Sequence, residues 1–144
     1  MKNNDTIIVE ETFNVSASEV WNAITNIDEM KHWYFENIPD FKPTPGFETE
    51  FSVKSESRNF LHKWKITKVI TDKLIEYNWQ YEEYPGKATV IFELFDEGTS
   101  TRLKLTNKVV ENFPEEIPEF SAESCQAGWD YFIKGNLKKY LENK

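Results

Sequence analysis

Apolar and polar residues alternate with a period of two through most of the chain after Gly46. Phe47, Phe51 and Val53 share one parity, followed by His62, Trp64 and Ile66, then Ile75, Tyr77, Trp79 and Tyr81, then Val90, Phe92 and Leu94, then Leu103, Leu105 and Asn107. The positions between them are mostly polar: Glu50, Ser52, Lys63, Lys65, Glu76, Asn78, Gln80, Glu93, Arg102 and Lys104. Successive side chains of a strand point to opposite faces, so this pattern predicts five strands of an antiparallel sheet with one apolar and one wet face. Thr71-Asp72-Lys73, Tyr84-Pro85-Gly86 and Asp96-Glu97-Gly98 are short enough for hairpin turns between them.

Either side of this block the period changes. Ile7, Val9, Phe13 and Val15 read as a first strand, interrupted on its apolar side by Glu11. Ser16-Ala17-Ser18-Glu19 has the spacing of a capping box, so a helix should begin there, with Val20, Ile24 and Ile27 at helical spacing. Asp28 is placed to cap a second short helix ending near Trp33. After the acidic, proline-bearing link E-N-F-P-E-E-I-P-E-F, Ser121 is expected to cap a long final helix whose stripe runs Trp129, Phe132, Ile133, Asn136, Leu137, Tyr140 and Leu141. The order is strand, two short helices, five strands, one long helix, and residues 1–144 are expected to form one domain. A sheet with a single apolar face needs a cover, and only the last helix is long and apolar enough to supply it.

Composition adds one anomaly. Aromatic residues make up 15% of the chain while hydrophobic residues overall reach only 39%. Rings therefore replace much of the usual Leu and Val, and they either pack the core or wall a space within it. The segment K-H-W-Y-F sharpens the choice, because Trp33, Tyr34 and Phe35 are consecutive and regular structure would point them in different directions. Trp33 is expected to turn inward and plug one end of the core, leaving Tyr34 or Phe35 at the rim.

The formal charge of −8 comes from dispersed acids, which argues against nucleic acid or an anionic membrane surface as partner. No apolar run has the length of a signal peptide or a membrane span, so a cytoplasmic protein is expected. A single cysteine, Cys125, rules out an intrachain disulfide, and two His plus one Cys at remote positions have no metal-ligand spacing, so neither a metal nor a cofactor is expected. A G-x-S-x-G nucleophile turn and the glycine-rich phosphate loops are missing. His62 shares the parity of Trp64 and Ile66 and should face inward, with Tyr77, Tyr81, Asn107 and Asn136 as possible partners; His32, on the short helix, should be exposed.

These segments together resemble a known family. F-N-V-S-A-S-E-V-W-N-A-I-T, K-H-W-Y-F, P-G-F-E-T-E-F, W-K-I-T-K-V, I-E-Y-N-W-Q-Y, V-I-F-E-L-F-D-E-G-T-S-T-R-L-K-L-T and A-G-W-D-Y-F-I-K-G-N-L-K-K-Y-L look like the START-like (SRPBCC) superfamily, in the branch of the C-terminal domain of the heat-shock protein 90 ATPase activator. The resemblance implies an α+β helix-grip fold, a curved antiparallel sheet wrapped around the C-terminal helix, with an apolar cavity between them. It implies a hydrophobic, lipid-like or aromatic ligand, for which the candidate contact residues are Trp33, Phe35, Phe51, His62, Trp64, Tyr77, Trp79, Phe92, Trp129 and Phe132. Two alternatives accompany it. One is a chaperone-linked interaction module, although the activator's separate N-terminal domain has no counterpart in these residues. The other is a cyclase or hydrolase using His62 with Tyr77 as base and acid.

Overall fold

The computed structural model describes all residues from Met1 to Lys144. Strand β1 (Thr6–Phe13) leads into helices α1 (Ala17–Thr25) and α2 (Ile27–Trp33). Strands β2 (Glu48–Ser55), β3 (Arg58–Ile70), β4 (Leu74–Tyr81), β5 (Lys87–Asp96) and β6 (Thr101–Glu111) follow. A 3₁₀ turn, Pro118–Phe120, then precedes the C-terminal helix. All six strands form one antiparallel sheet in the order β1-β6-β5-β4-β3-β2. The antiparallel sheet is the one the alternation predicts, and the α+β architecture is the one the resemblance implies.

Parity decides which side chains enter. Phe60, His62, Trp64 and Ile66 of β3 are buried, and so are Ile75, Tyr77 and Trp79 of β4, Ala88, Val90, Phe92 and Leu94 of β5, and Leu103, Leu105, Asn107 and Val109 of β6. Cross-strand register stacks the inner rings in rows, His62 opposite Tyr81, Trp64 opposite Trp79 and Ile66 opposite Tyr77. A bulge between Ile66 and Lys68 resets the pairing near the end of β3, which strengthens the local twist and helps the sheet curl.

The helix starts follow capping chemistry. Ser16 accepts from the Glu19 amide at 3.2 Å, the N-cap half of the expected capping box. The second cap differs from expectation: Asn26, not Asp28, starts α2, its Oδ1 accepting from the amides of Asp28 at 3.0 Å and Glu29 at 3.3 Å. Asn26 also ends α1, so one residue serves both helices and Asp28 falls into the first turn, where its charge suits the dipole. Ser121 caps the final helix by accepting from Ser124 N at 3.1 Å.

That final helix is continuous but not uniform. It is α-helical as α3 (Ala122–Asp130), widens to a π-helix over Tyr131–Leu137, and closes as α4 (Lys138–Glu142). Its buried residues, Trp129, Ile133, Leu137 and Leu141, recur every fourth position and face the sheet. Lys134 and Lys138 reach from the same helix to the carbonyls of Glu10 and Thr12, occupying acceptors on the outer edge of β1 and so blunting one of the two sheet edges.

Candidate functional site

The three adjacent rings divide the interior into two parts. Helix α2 ends at Trp33, and Tyr34 adopts φ −104°, ψ −129°, outside both helix and strand geometry. The chain therefore turns between the two residues, and both rings enter the core: Trp33 is 1% exposed and Tyr34 7%. They stack on each other at 4.5 Å with nearly parallel planes. The expectation for Trp33 holds, and that for the rim narrows, because Tyr34 is interior and only Phe35 is half-buried.

Around Tyr34 the interior is filled. Its ring lies 5.3 Å from Trp64 and meets Phe92 edge-on at 6.4 Å. Trp33 donates its indole N–H to the Ala23 carbonyl at 2.7 Å, and the hydroxyls of Tyr34 and Tyr77 bond each other at 2.9 Å. Burial raises the pKa of both phenols well above the ordinary range, so both stay protonated. Asn136 does not face this interior as a free amide; its Nδ2 donates to the Trp33 carbonyl at 3.2 Å, near the end of α2.

Beyond Phe35 the rings stop filling and begin to enclose. A cavity of about 190 Å³ lies between β3–β6, the C-terminal helix and the link before it. Phe35, Trp79, Tyr81, Phe113, Phe120, Trp129 and Phe132 form most of its wall, and His62, Asn107 and Cys125 supply polar atoms. Glu119, paired with Arg58 at 3.1 Å, and Met1 also line it. Of the ten residues singled out in the sequence, Phe35, His62, Trp79, Trp129 and Phe132 come together on this wall. Trp33, Phe51, Trp64, Tyr77 and Phe92 pack in the core beside it. Phe113 and Phe120 were missed, since a link rich in Pro and Glu reads as a solvated connector; the only signal was that it carries two Phe. Tyr81 and Asn107 carry inner-face parity in the sequence and are candidate partners for His62 there, whereas Gly128, a small residue of the helix, gives no signal.

The polar groups on the wall have defined states. His62 Nδ1 lies 2.9 Å from the Phe60 carbonyl. A carbonyl only accepts, so Nδ1 carries the proton and Nε2 is left as an acceptor in the neutral ring. Burial pushes the imidazole down to about 4, with the Phe60 carbonyl and Glu83 opposing, so it is neutral at pH 7. Burial likewise pushes the Cys125 thiol up to about 11, which leaves it protonated and a poor nucleophile. The Tyr81 hydroxyl accepts from Trp79 Nε1 at 2.7 Å, and Asn107 Oδ1 accepts from Trp129 Nε1 at 3.4 Å. A pairing of His62 with Tyr77 is not formed: Tyr77 stands opposite Ile66 on the neighbouring strand, and its hydroxyl is engaged by Tyr34.

No helix is long and apolar enough to cross a membrane. His32 is exposed, as expected, and stacks on Tyr140 at 5.4 Å.

Solved structures share this architecture. The Mll3558 protein from Rhizobium loti matches with a TM-score of 0.82 at 16% identity, over 96% of this chain and 97% of that one. The Aha1 dimer from Colwellia psychrerythraea matches with a TM-score of 0.70 at 22% identity, over 96% of each chain. CalU16 from Micromonospora echinospora matches with a TM-score of 0.70 at 20% identity, over 94% of this chain and 75% of that one. At such identities the likeness establishes the fold and no activity. No curated protein matches the sequence. The model of the activator of Hsp90 ATPase homolog 1-like proteins matches residues 14–142, nearly the whole length, and the chain belongs to that family.

Proposed function

We propose that this protein binds a small hydrophobic molecule in the cavity between its sheet and C-terminal helix. The observation that carries the reading is the cavity itself, about 190 Å³ with ten hydrophobic residues among its fourteen lining residues. Its size narrows the class. At roughly 30 Å³ for each liquid water the volume corresponds to about six waters, and it lies below the roughly 300–1,000 Å³ of pockets for drug-sized ligands. A molecule of one or two rings matches this volume. The family description and the Aha1 likeness also offer a chaperone-linked role. Of the large exposed apolar residues, Ile70 and Phe95 border one shallow surface depression with Asp72, Lys73, Glu93 and Asp96, while Ile8 and Tyr131 lie on β1 and the C-terminal helix; the interior cavity supports ligand binding more directly.

The test uses the indoles as reporters. Trp79 and Trp129 line the cavity, whereas Trp21 lies in α1 away from it. Titration with uncharged one- and two-ring aromatics should shift the indole N–H resonances of Trp79 and Trp129, raise Tm and leave Trp21 in place. Gly128 lines the cavity and a Cβ added there meets nothing within 4 Å, so Gly128→Leu should fill the space and abolish the shifts in a protein that still folds. A panel that moves none of these signals overturns the reading.

A further inference from the structure

One corner of the cavity carries a donor and an acceptor that the protein itself leaves unpaired. His62 is 6% exposed and lines the cavity. Its Nδ1 is committed to the Phe60 carbonyl, and its Nε2 lone pair has no protein donor. Tyr81 stands directly across from it in the β3–β4 pairing, with ring centroids 4.9 Å apart. The Tyr81 oxygen already accepts from Trp79 Nε1, which orients its own O–H away from that indole; no protein acceptor takes the proton. The only sealed side-chain polar atom without a partner is Trp64 Nε1, so His62 Nε2, which has none, keeps access to the cavity it lines, and Tyr81 lines the same cavity. A nearly buried acceptor left without a donor is destabilising, and a ligand that donates to it relieves that cost. An acceptor and a hydroxyl donor on adjacent strands are complementary to one small group that both donates and accepts, an aromatic hydroxyl.

We infer that the cavity selects an uncharged one- or two-ring aromatic alcohol, whose hydroxyl donates to His62 Nε2 and whose oxygen accepts from Tyr81. The flat remainder lies among Trp79, Trp129 and Phe132, where ring faces and edges are the available contacts. Asn107 belongs to β6, three strands from β3 in the sheet order. At about 4.8 Å per strand it is too remote to address the same hydroxyl. The two charged groups on the wall are already engaged: the Met1 ammonium donates to the Phe120 carbonyl at 2.9 Å. Glu119, the only acid on the wall, is held by Arg58, so a phenol rather than a phenolate or an amine is the matching form.

This inference rests on the cavity-binding reading, and the experiment separates the two. The probes are 2-naphthol, 2-methoxynaphthalene and naphthalene, titrated into the wild-type protein and into His62→Phe and Tyr81→Phe. Wild type should bind 2-naphthol about tenfold more tightly than 2-methoxynaphthalene, the worth of one buried neutral hydrogen bond. His62→Phe keeps a ring but no acceptor, and should bring that ratio close to one. Tyr81→Phe should weaken 2-naphthol and 2-methoxynaphthalene together, since both offer an oxygen to the hydroxyl, and should spare naphthalene. A readout that needs no variant is the nitrogen resonance of His62 Nε2, which should move on adding 2-naphthol and stay still with naphthalene. Equal affinity for all three probes, or an unmoved Nε2 resonance at saturating 2-naphthol, overturns the inference while leaving the cavity reading intact. If none of the three binds, both fall.

Discussion

The two parts of the interior are built from the same kinds of side chain and end in opposite states. On the α2 side, Trp33, Tyr34, Trp64, Tyr77 and Phe92 interlock, and the two phenols satisfy each other. On the side of the 3₁₀ turn, Trp79, Tyr81, Phe113, Phe120, Trp129 and Phe132 stand around a space, with His62 and Asn107 on its wall. Ring content therefore does not decide between a packed core and a binding cavity. What decides is whether a further element pushes a side chain in. The turn after Trp33 delivers Tyr34 into the middle of the first part, whereas Phe35, Phe113 and Phe120 reach the second only as its wall.

Truncation should expose this difference most strongly. Trp33 is fully enclosed and its N–H is bonded, so Trp33→Ala should cost about 3–5 kcal/mol, the range for large buried rings. Phe132 already borders open volume and is only half-buried, so Phe132→Ala enlarges an existing space and should cost about 1–2 kcal/mol. Urea midpoints at unchanged slope would measure both; equal losses would mean that the cavity side is as tightly packed as the other.

Next in size is a pH effect confined to the cavity side. The His62 imidazole titrates near 6.5 when exposed and at about 4 in the folded chain. Between those values the unfolded state holds a proton that the folded state lacks, so stability rises with pH across the window and is lost as pH falls from about 6.5 to about 4. At about 1.36 kcal/mol per unit the loss approaches 3 kcal/mol. Carboxylates such as Glu83 and Glu119, held below their usual range, add their own loss at the acid end. The difference between wild type and His62→Gln cancels most of that and isolates the imidazole. A constant difference from pH 7 to pH 4 would show that His62 is charged or solvated.

The packed side has its own polar test, smaller in size. Tyr34→Phe or Tyr77→Phe strands the remaining hydroxyl in an apolar core, and each should cost about 1–2 kcal/mol. Removing both hydroxyls leaves no orphan, so the double variant should be clearly less destabilised than the sum of the singles. Strict additivity would mean that the two phenols do not pair.

How much of this was legible in the sequence differs between the two parts. Period-two alternation placed His62, Trp64, Tyr77, Trp79 and Phe92 on the inner face, because parity is a local property of a strand. The capping box at Ser16 and the cap at Ser121 are equally local. Which inner ring borders open space is not local. It depends on the turn at Tyr34 and on the fold-back of Phe113 and Phe120 from a link whose Pro and Glu content reads as solvent-facing. The π-helical stretch from Tyr131 to Leu137 was also invisible, since its residues are ordinary helix formers around a single Gly.

The smallest effect tests the boundary of the cavity with one carbon atom. Gly128 and Gly135 both lie in the C-terminal helix, and neither has a positive φ. Replacing either with Ala gains helix propensity, up to about 1 kcal/mol. At Gly128 the new methyl enters the cavity, where it meets nothing within 4 Å; at exposed Gly135 its nearest neighbour is the Asp130 carbonyl at 3.9 Å. Both variants should be slightly stabilised in thermal melts. Only Gly128→Ala should weaken binding of a two-ring probe such as 2-naphthol, because the methyl takes volume from a space that such a probe nearly fills. Equal binding by the two variants would place the ligand away from the helix and break the link between the unfilled half of the interior and function.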